Sequence, residues 1–385
     1  MLASAAMTPP RDALPSRIAT FSPNQLKLGL FGSNCSSGRA ATKVPERWSG
    51  NWEDNLALAK LADDAGMDLI LPIGRWRGYG GVTNFEGSTL ETVTWACGLL
   101  AQTQRISVFC TVHAPLVHPV YAAKQFVTTD HVSRGRFGVN IVCGWNQDEF
   151  DMFGVGQRDH DDRYEYGEEW LTAINAMWSR KGNFDFDGKF IKLKGVEAEP
   201  KPYGGTRPLV MNAGSSAAGR AFSARACDVL FRPLRSLEAG VQEVRQTQDE
   251  ARAYGREVGV FCNGYVVCRK TSREAEEYHR YYAEEMGDWD AVDHLIALNK
   301  VNSQSYSAEF YRQFRIRFAA GHGGFPMVGD PDDVAAALAG VSEAGFAGIC
   351  FSFVNYLTEF PYFRDEVLPR LERLGLRTPA LHAKS

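Results

Sequence analysis

Beyond about residue 25, short continuously apolar runs alternate with longer stretches in which apolar residues recur every three or four positions. The runs KLGLFG (27–32), DLILPI (68–73), RISVFCTV (105–112), FGVNIVCG (137–144), LVMNAG (209–214), DVLF (228–231), GVFCNGYVV (259–267) and AGICFSF (347–353) each predict a strand. The periodic stretches predict helices over 51–66, 89–104, 118–133, 163–179, 215–227, near 237–254, within 271–313, over 331–344 and over 362–373. A strand with no in/out alternation is covered on both faces, which is the pattern of a parallel sheet flanked by helices. Eight such strands predict an α/β fold, a (β/α)8 TIM barrel of ~250 residues with insertions, and a doubly wound open sheet is the rival.

The same pattern sets the expected boundaries. Residues 1–25 read as a disordered lead-in, 26–375 as one barrel, and 376–385 as a C-terminal tail. The surplus length falls in two insertions. Residues 181–208 are polar, rich in Gly and Pro, and hairpin-like; residues 288–326 end in GHGGFP and read as a loop or lid.

Composition narrows the class. At 44% hydrophobic and 23% charged with a net charge of −4, the chain is an ordinary globular protein. That excludes disorder, a disulfide scaffold, and nucleic-acid binding driven by bulk positive charge. Its 37 glycines suit a fold with many tight strand–helix turns. The eight cysteines form no CxxC pair and no metal-ligand spacing, so a reduced cytoplasmic protein is expected. The N-terminus lacks the pattern of a secretory signal, and no 18-residue apolar run predicts a membrane span.

In a barrel, chemistry belongs where strands end and helices begin. Those points carry hydrogen-bonding groups (Arg75, Thr111, His113, Asn140, Ser215, Ser216), an aromatic wall (Trp76, Trp145) and one acid, Glu149. Asn140 stands in an apolar strand where an unsatisfied amide costs about 1–3 kcal/mol. Either neighbouring backbone satisfies it, or it faces the barrel mouth and binds a ligand. Thr111 is equally ambiguous, because Thr is a good strand former. NAGSS (212–216) before a helix makes an anion site, although Ser is also an ordinary N-cap. Arg163 and Tyr164, opening another helix, either serve the same anion or sit in a solvated first turn. GYGG (78–81) lacks the dinucleotide spacing, no HExxH, HxH or GxSxG occurs, and no metal site is expected.

Taken together, RGYGG (77–81), AAKQFVTTDHVSRGRFGVNIVCGW (122–145), Glu149 with DRYEY (162–166), and NAGSSAAGRAFSARACD (212–228) resemble the bacterial luciferase-like flavin monooxygenases. Within them the chain is similar to the pyrimidine oxygenase type, with dimethylsulfone monooxygenase a more distant relative. The resemblance runs from about residue 27 to 373. It implies a two-component enzyme, with FMN bound at the strand C-termini and reduced to FMNH2 by a separate NAD(P)H-dependent flavin reductase. O2 is then the co-substrate. By position, Gly74, Arg75, Asn140 and Glu149 would meet the flavin ring and ribityl chain. Arg163, Tyr164, Ser215 and Ser216 would meet the phosphate. Thr111 and Asn140 match the catalytic pair that holds O2 beside flavin N5, which implies a flavin N5-peroxide. Trp76, His113 and Trp145 would line the substrate pocket.

Departures from the uracil-cleaving pattern at 74–76, at Cys143 and at Ser215 leave the substrate open. A small planar heterocycle losing a C–N, C–S or C–halogen bond is expected. The resemblance further implies a homodimer or homotetramer, with no nucleic-acid or membrane partner. A deazaflavin-dependent hydride transferase and a non-catalytic flavin-binding subunit are the alternatives on the same barrel.

Overall fold

The computed structural model describes residues 14–17, 21–156, 158–298 and 308–379. In chain order the elements are β1 (Lys27–Phe31), α1 (Trp52–Asp64), β2 (Leu69–Leu71), α2 (Thr92–Ala101), β3 (Ser107–His113), α3 (Pro119–Ser133) and β4 (Phe137–Val142). Then come α4 (Gln147–Met152), α5 (His160–Ser179), β5 (Phe184–Asp187), β6 (Lys192–Val196), β7 (Leu209–Asn212), α6 (Ala217–Ala226), β8 (Val229–Pro233) and α7 (Leu237–Arg252). The remainder is β9 (Gly259–Cys268), α8 (Ser272–Arg280), α9 (Trp289–Leu298), α10 (Ala308–Gly321), β10 (Phe325–Gly329), α11 (Pro331–Glu343), β11 (Gly348–Ser352), α12 (Tyr356–Glu366) and α13 (Leu368–Arg373).

Eight parallel strands close on themselves in the order β1-β2-β3-β4-β7-β8-β9-β11, with β11 returning to β1. These are the eight strands the apolar runs predict, and closure rules out the open-sheet rival. Parity separates the two faces of each strand. Phe31, Leu69, Leu71, Phe109, Leu209, Met211, Val229, Phe231, Phe261 and Cys350 pack together inside the barrel. Their neighbours, such as Leu30, Val108 and Cys110, pack outward in the larger core that reaches the helices. Glycine on the inner face makes room for these rings. A Cβ at Gly138 would lie 2.5 Å from Phe109, and one at Gly348 would lie 2.7 Å from Phe261.

Three expectations need correction. Residues 288–326 are not a loop or lid over their described part. They carry α9, α10 and the start of β10, a short parallel strand pairing with the second half of β9. The lead-in is not floppy where it is described. Arg17 holds Asp130 through both carboxylate oxygens, and Phe21 sets its ring 6.3 Å from Phe109 and 6.5 Å from Phe261, against the barrel's inner cluster. Residues 1–13 and 18–20 lie outside the described residues. The tail begins later than expected, because Leu376 is buried and Arg377 donates to the carbonyl of Gly66 at 2.8 Å. Residues 181–208 do contain the expected hairpin, with β5 and β6 antiparallel.

Asp130 is fully buried and also accepts from the amide of Tyr203 at 2.8 Å, so removing Arg17 leaves a carboxylate without its cation. Arg17→Ala should lower unfolding free energy by about 3 kcal/mol, read as a lower urea midpoint. An unchanged midpoint would show that the N-terminal segment is not anchored there.

Candidate active site

Strand parity delivers the first pair of candidates. Thr111 and His113 share the inner face of β3 with Phe109, and Asn140 shares the inner face of β4 with Gly138. Register sets Thr111 directly beside Asn140. Asn140 Nδ2 donates to Thr111 Oγ1 at 3.2 Å, and that hydroxyl donates its own proton to the carbonyl of Pro72 at 2.7 Å. Asn140 Oδ1 is buried and has no hydrogen-bond partner among the described residues. Neighbouring backbone therefore does not satisfy the amide, which leaves one acceptor and one N–H for a ligand.

The second pair is Arg75 and Glu149. Arg75 Nε and Nη2 reach the two Glu149 oxygens at 2.7 and 2.9 Å, while the amide of Trp76 donates to Oε1 at 2.8 Å. Arg75 Nη1 bonds the Tyr79 hydroxyl, and the guanidinium lies 5.0 Å from the Trp145 ring centroid. Both charges are almost completely buried. They engage each other, so the pair acts first as a rigid strut between the loop after β2 and the start of α4. Gly74 sits where that loop crosses β3, and a Cβ there would lie 2.9 Å from the carbonyl of Thr111.

His113 stands 3.8 Å from Glu149 Oε2, yet it is neutral. Burial pushes its pKa down to about 4; Glu149 opposes that shift and Arg75 adds to it. Trp76 and Trp145 are 44% and 38% exposed at the rim, with Trp76 edge-on to Phe153 at 4.9 Å. A narrow cavity of about 70 Å³ opens between Gly74, Arg75, Trp76, Thr111 and His113.

The phosphate candidates gather at the start of α6. Ser216 is the N-cap, and its hydroxyl accepts from the amide of Gly219 at 3.1 Å. Tyr164 hydrogen-bonds Ser216. Arg163 Nη1 donates to the carbonyl of Gly144 at 2.7 Å, while its Nε is buried without a partner among the described residues. Ser215 is exposed beside them. A Cβ at Gly214 would meet Gly219 Cα at 2.7 Å, so the turn closes only with glycines, at a helix N-terminus that Ser216 caps.

Sequence reasoning missed Tyr79, which lies inside the RGYGG motif, and a buried group of Arg39, Glu86 and His322 on three separate loops. No spacing rule joins those three. Among the described residues there is no cluster of three or more His, Cys, Asp or Glu suited to a metal, and no helix is long and apolar enough to cross a membrane. All eight cysteines are unpaired.

Residues 26–348 match the luciferase-like monooxygenase family model. The chain is 29% identical over 355 residues to the FMNH2-dependent dimethylsulfone monooxygenase of Pseudomonas fluorescens (strain Pf0-1), covering 91% of this chain and 95% of that protein. It is 28% identical over 354 residues to the pyrimidine monooxygenase RutA of Enterobacter sp. (strain 638), covering 90% and 96%. Among solved structures, riboflavin lyase (RcaE) with modified FMN and riboflavin superposes with a TM-score of 0.82 at 22% identity over 94% of both chains. DmoA from Hyphomicrobium sulfonivorans superposes with a TM-score of 0.81 at 19% identity, covering 93% and 92%.

Because the pKa of His113 falls from 6.5 unfolded to about 4 folded, the unfolded chain binds more protons between those values. Stability should therefore drop on acidification, with His113 contributing about 2–3 kcal/mol between about pH 7 and pH 4.5. Urea midpoints at the two pH values measure this, and His113→Gln should remove that share of the loss. An identical loss in the variant would contradict a buried neutral imidazole.

Proposed function

The chain belongs to the luciferase-like monooxygenase family, and on that premise we propose that it is a two-component FMNH2-dependent monooxygenase acting on a small organic molecule. A separate NAD(P)H-dependent reductase supplies the reduced flavin, and the pair works in the cytoplasm. The bond cleaved is C–N, C–S or C–halogen, and the active form is a homodimer or homotetramer. Support comes from relatives whose names state FMNH2 dependence and from one observation in this chain. Asn140 Oδ1 is a buried acceptor that lacks a donor.

FMN fits these residues. Its phosphate suits the N-terminus of α6 with Ser216, Ser215, Tyr164 and Arg163. Its ring suits the inner face beside Asn140, where Oδ1 requires an N–H and reduced flavin carries more of them than the oxidised form. When bound, reduced FMN supplies the electrons that activate O2.

The chain's own groups orient and exclude. The remaining N–H of Asn140 would donate to oxygen held beside the flavin and stabilise negative charge there, and Thr111 fixes the amide plane by accepting its other N–H. Thr111 is thus a positioning residue whose single proton belongs to Pro72. The Arg75–Glu149 strut holds the rim closed around the mouth without presenting net charge. Trp76 and Trp145 offer flat faces to a planar substrate, and neutral His113 can accept or donate one hydrogen bond without adding a cation.

Two measurements check this reading. With a flavin reductase, NAD(P)H, FMN and 18O2, product should gain one labelled oxygen; turnover with oxidised flavin and no reductase would overturn the reading. Asn140→Ala should cut turnover about 100-fold or more while weakening FMN binding only about tenfold, whereas Thr111→Val should cost about tenfold in turnover. Full activity in Asn140→Ala would remove the amide from the chemistry.

A further inference from the structure

Asn263 interrupts the apolar run GVFCNGYVV in β9 and shares that strand's inner face with Phe261. β9 is the fourth strand from β3 in either direction around the barrel, so the two face each other across the lumen. Register fixes the height. Thr111 pairs through Asn140, Met211 and Val229 to Gly259. Ser107, four residues earlier on β3, pairs the other way round through Leu69, Gly29 and Cys350 to Asn263. By that second route Thr111 comes level with Val267, and the position midway between Gly259 and Val267 is Asn263. Asn263 therefore stands straight across the mouth from Thr111 and its neighbour Asn140.

The amide is unused. Asn263 Oδ1 is buried without a partner, and the side chain makes no hydrogen bond among the described residues. Such a group costs stability, and on the inner face the other amide oxygen left bare is that of Asn140. The lumen between them is open. Deeper in the barrel Leu69, Phe109, Met211 and Val229 are completely buried, whereas Phe31, Phe231, Thr111, Asn140 and Asn263 each keep 6–9% of their surface exposed. The Phe31 and Phe231 rings, 5.4 Å apart, complete this pocket between the two amides. A lumen of eight strands admits one small ligand.

Position and charge decide what that ligand presents. A flavin with its phosphate at α6 and its ring at Asn140 occupies the β4 and β7 side, so the group that reaches Asn263 belongs to the other reactant. Phe31, Phe231, Cys350, Thr111 and Asn140, which share the inner face near this level, are all uncharged. A charged group there would leave water without a counter-charge. Oδ1 accepts and cannot donate, so it requires an O–H or N–H, which a sulfone, an ether or an alkane lacks.

We infer that Asn263 is a specificity-determining residue: it holds a neutral, hydrogen-donating group of the substrate across the lumen from Asn140. Oδ1 accepts the O–H or N–H, and the phenylalanine rings pack against the carbon skeleton that carries it. This inference rests on the flavin monooxygenase reading.

The test uses the FMN-loaded chain with two matched pairs of probes, phenol against anisole and aniline against N,N-dimethylaniline, their binding measured by calorimetry. FMN affinity, followed by quenching of flavin fluorescence, checks the underlying reading separately. We expect the hydrogen-donating member of at least one pair to bind about tenfold or more tightly than its methylated counterpart. Asn263→Leu keeps the size of the side chain and removes both polar atoms. It should erase that preference, leave FMN affinity unchanged and raise the melting temperature, because the bare amide is gone; Asn263→Ala should erase the same preference. Failure of the wild-type chain to bind FMN would sink the parent reading. With FMN bound normally, four probes that do not bind, or a preference that survives in both variants, would overturn this proposal alone. A lower melting temperature in Asn263→Leu would reveal a protein partner for the amide, and loss of FMN affinity in the variants would assign Asn263 to the flavin; either overturns it as well.

Discussion

A buried amide oxygen must find a donor, and in this barrel the protein withholds one from Asn140. That constraint organises the site. The inner face below Asn140 is filled by Phe109, Phe261, Met211 and their neighbours, so the amide has no route downward. Sideways it is fixed by Thr111, which the β3/β4 register places beside it and which Pro72 in turn holds. Only the mouth is left, and a hydrogen-bonding planar cofactor entering there meets the one orientation the amide can adopt.

The surroundings keep that orientation meaningful. Two buried ion pairs, Arg75–Glu149 and Arg39–Glu86, brace the loops over the mouth, and two histidines beside them stay neutral. The mouth thus contains strong local dipoles with little net charge. In such a medium an oriented N–H stabilises developing negative charge far better than it would in water. Rigidity and polarity come from the same residues.

Much of the scaffold was legible because apolar runs covered on both faces have few alternatives. All eight barrel strands follow from them, and parity then places Thr111 and Asn140 inside. The failures have local causes. β10 reads FPMVG, where Pro326 and two flanking glycine turns mimic a loop, and only its pairing with β9 makes it a strand. Pro361 hid the first turns of α12, although it is carried within that helix. At the site, Glu149 showed as an acid near the mouth, but nothing in the chain reveals that both its oxygens are taken by Arg75. Arg39, Glu86 and His322 were invisible for the same reason: loops bring them together, and loop closure has no period to read.

The most direct test of the central claim is a crystal structure of the chain with FMN bound. The account predicts the isoalloxazine ring at the strand C-termini with Asn140 Oδ1 within hydrogen-bond distance of it, and the phosphate at Ser216 and Arg163. FMN bound elsewhere, or Asn140 turned to a protein donor while the ring lies out of reach, would contradict it.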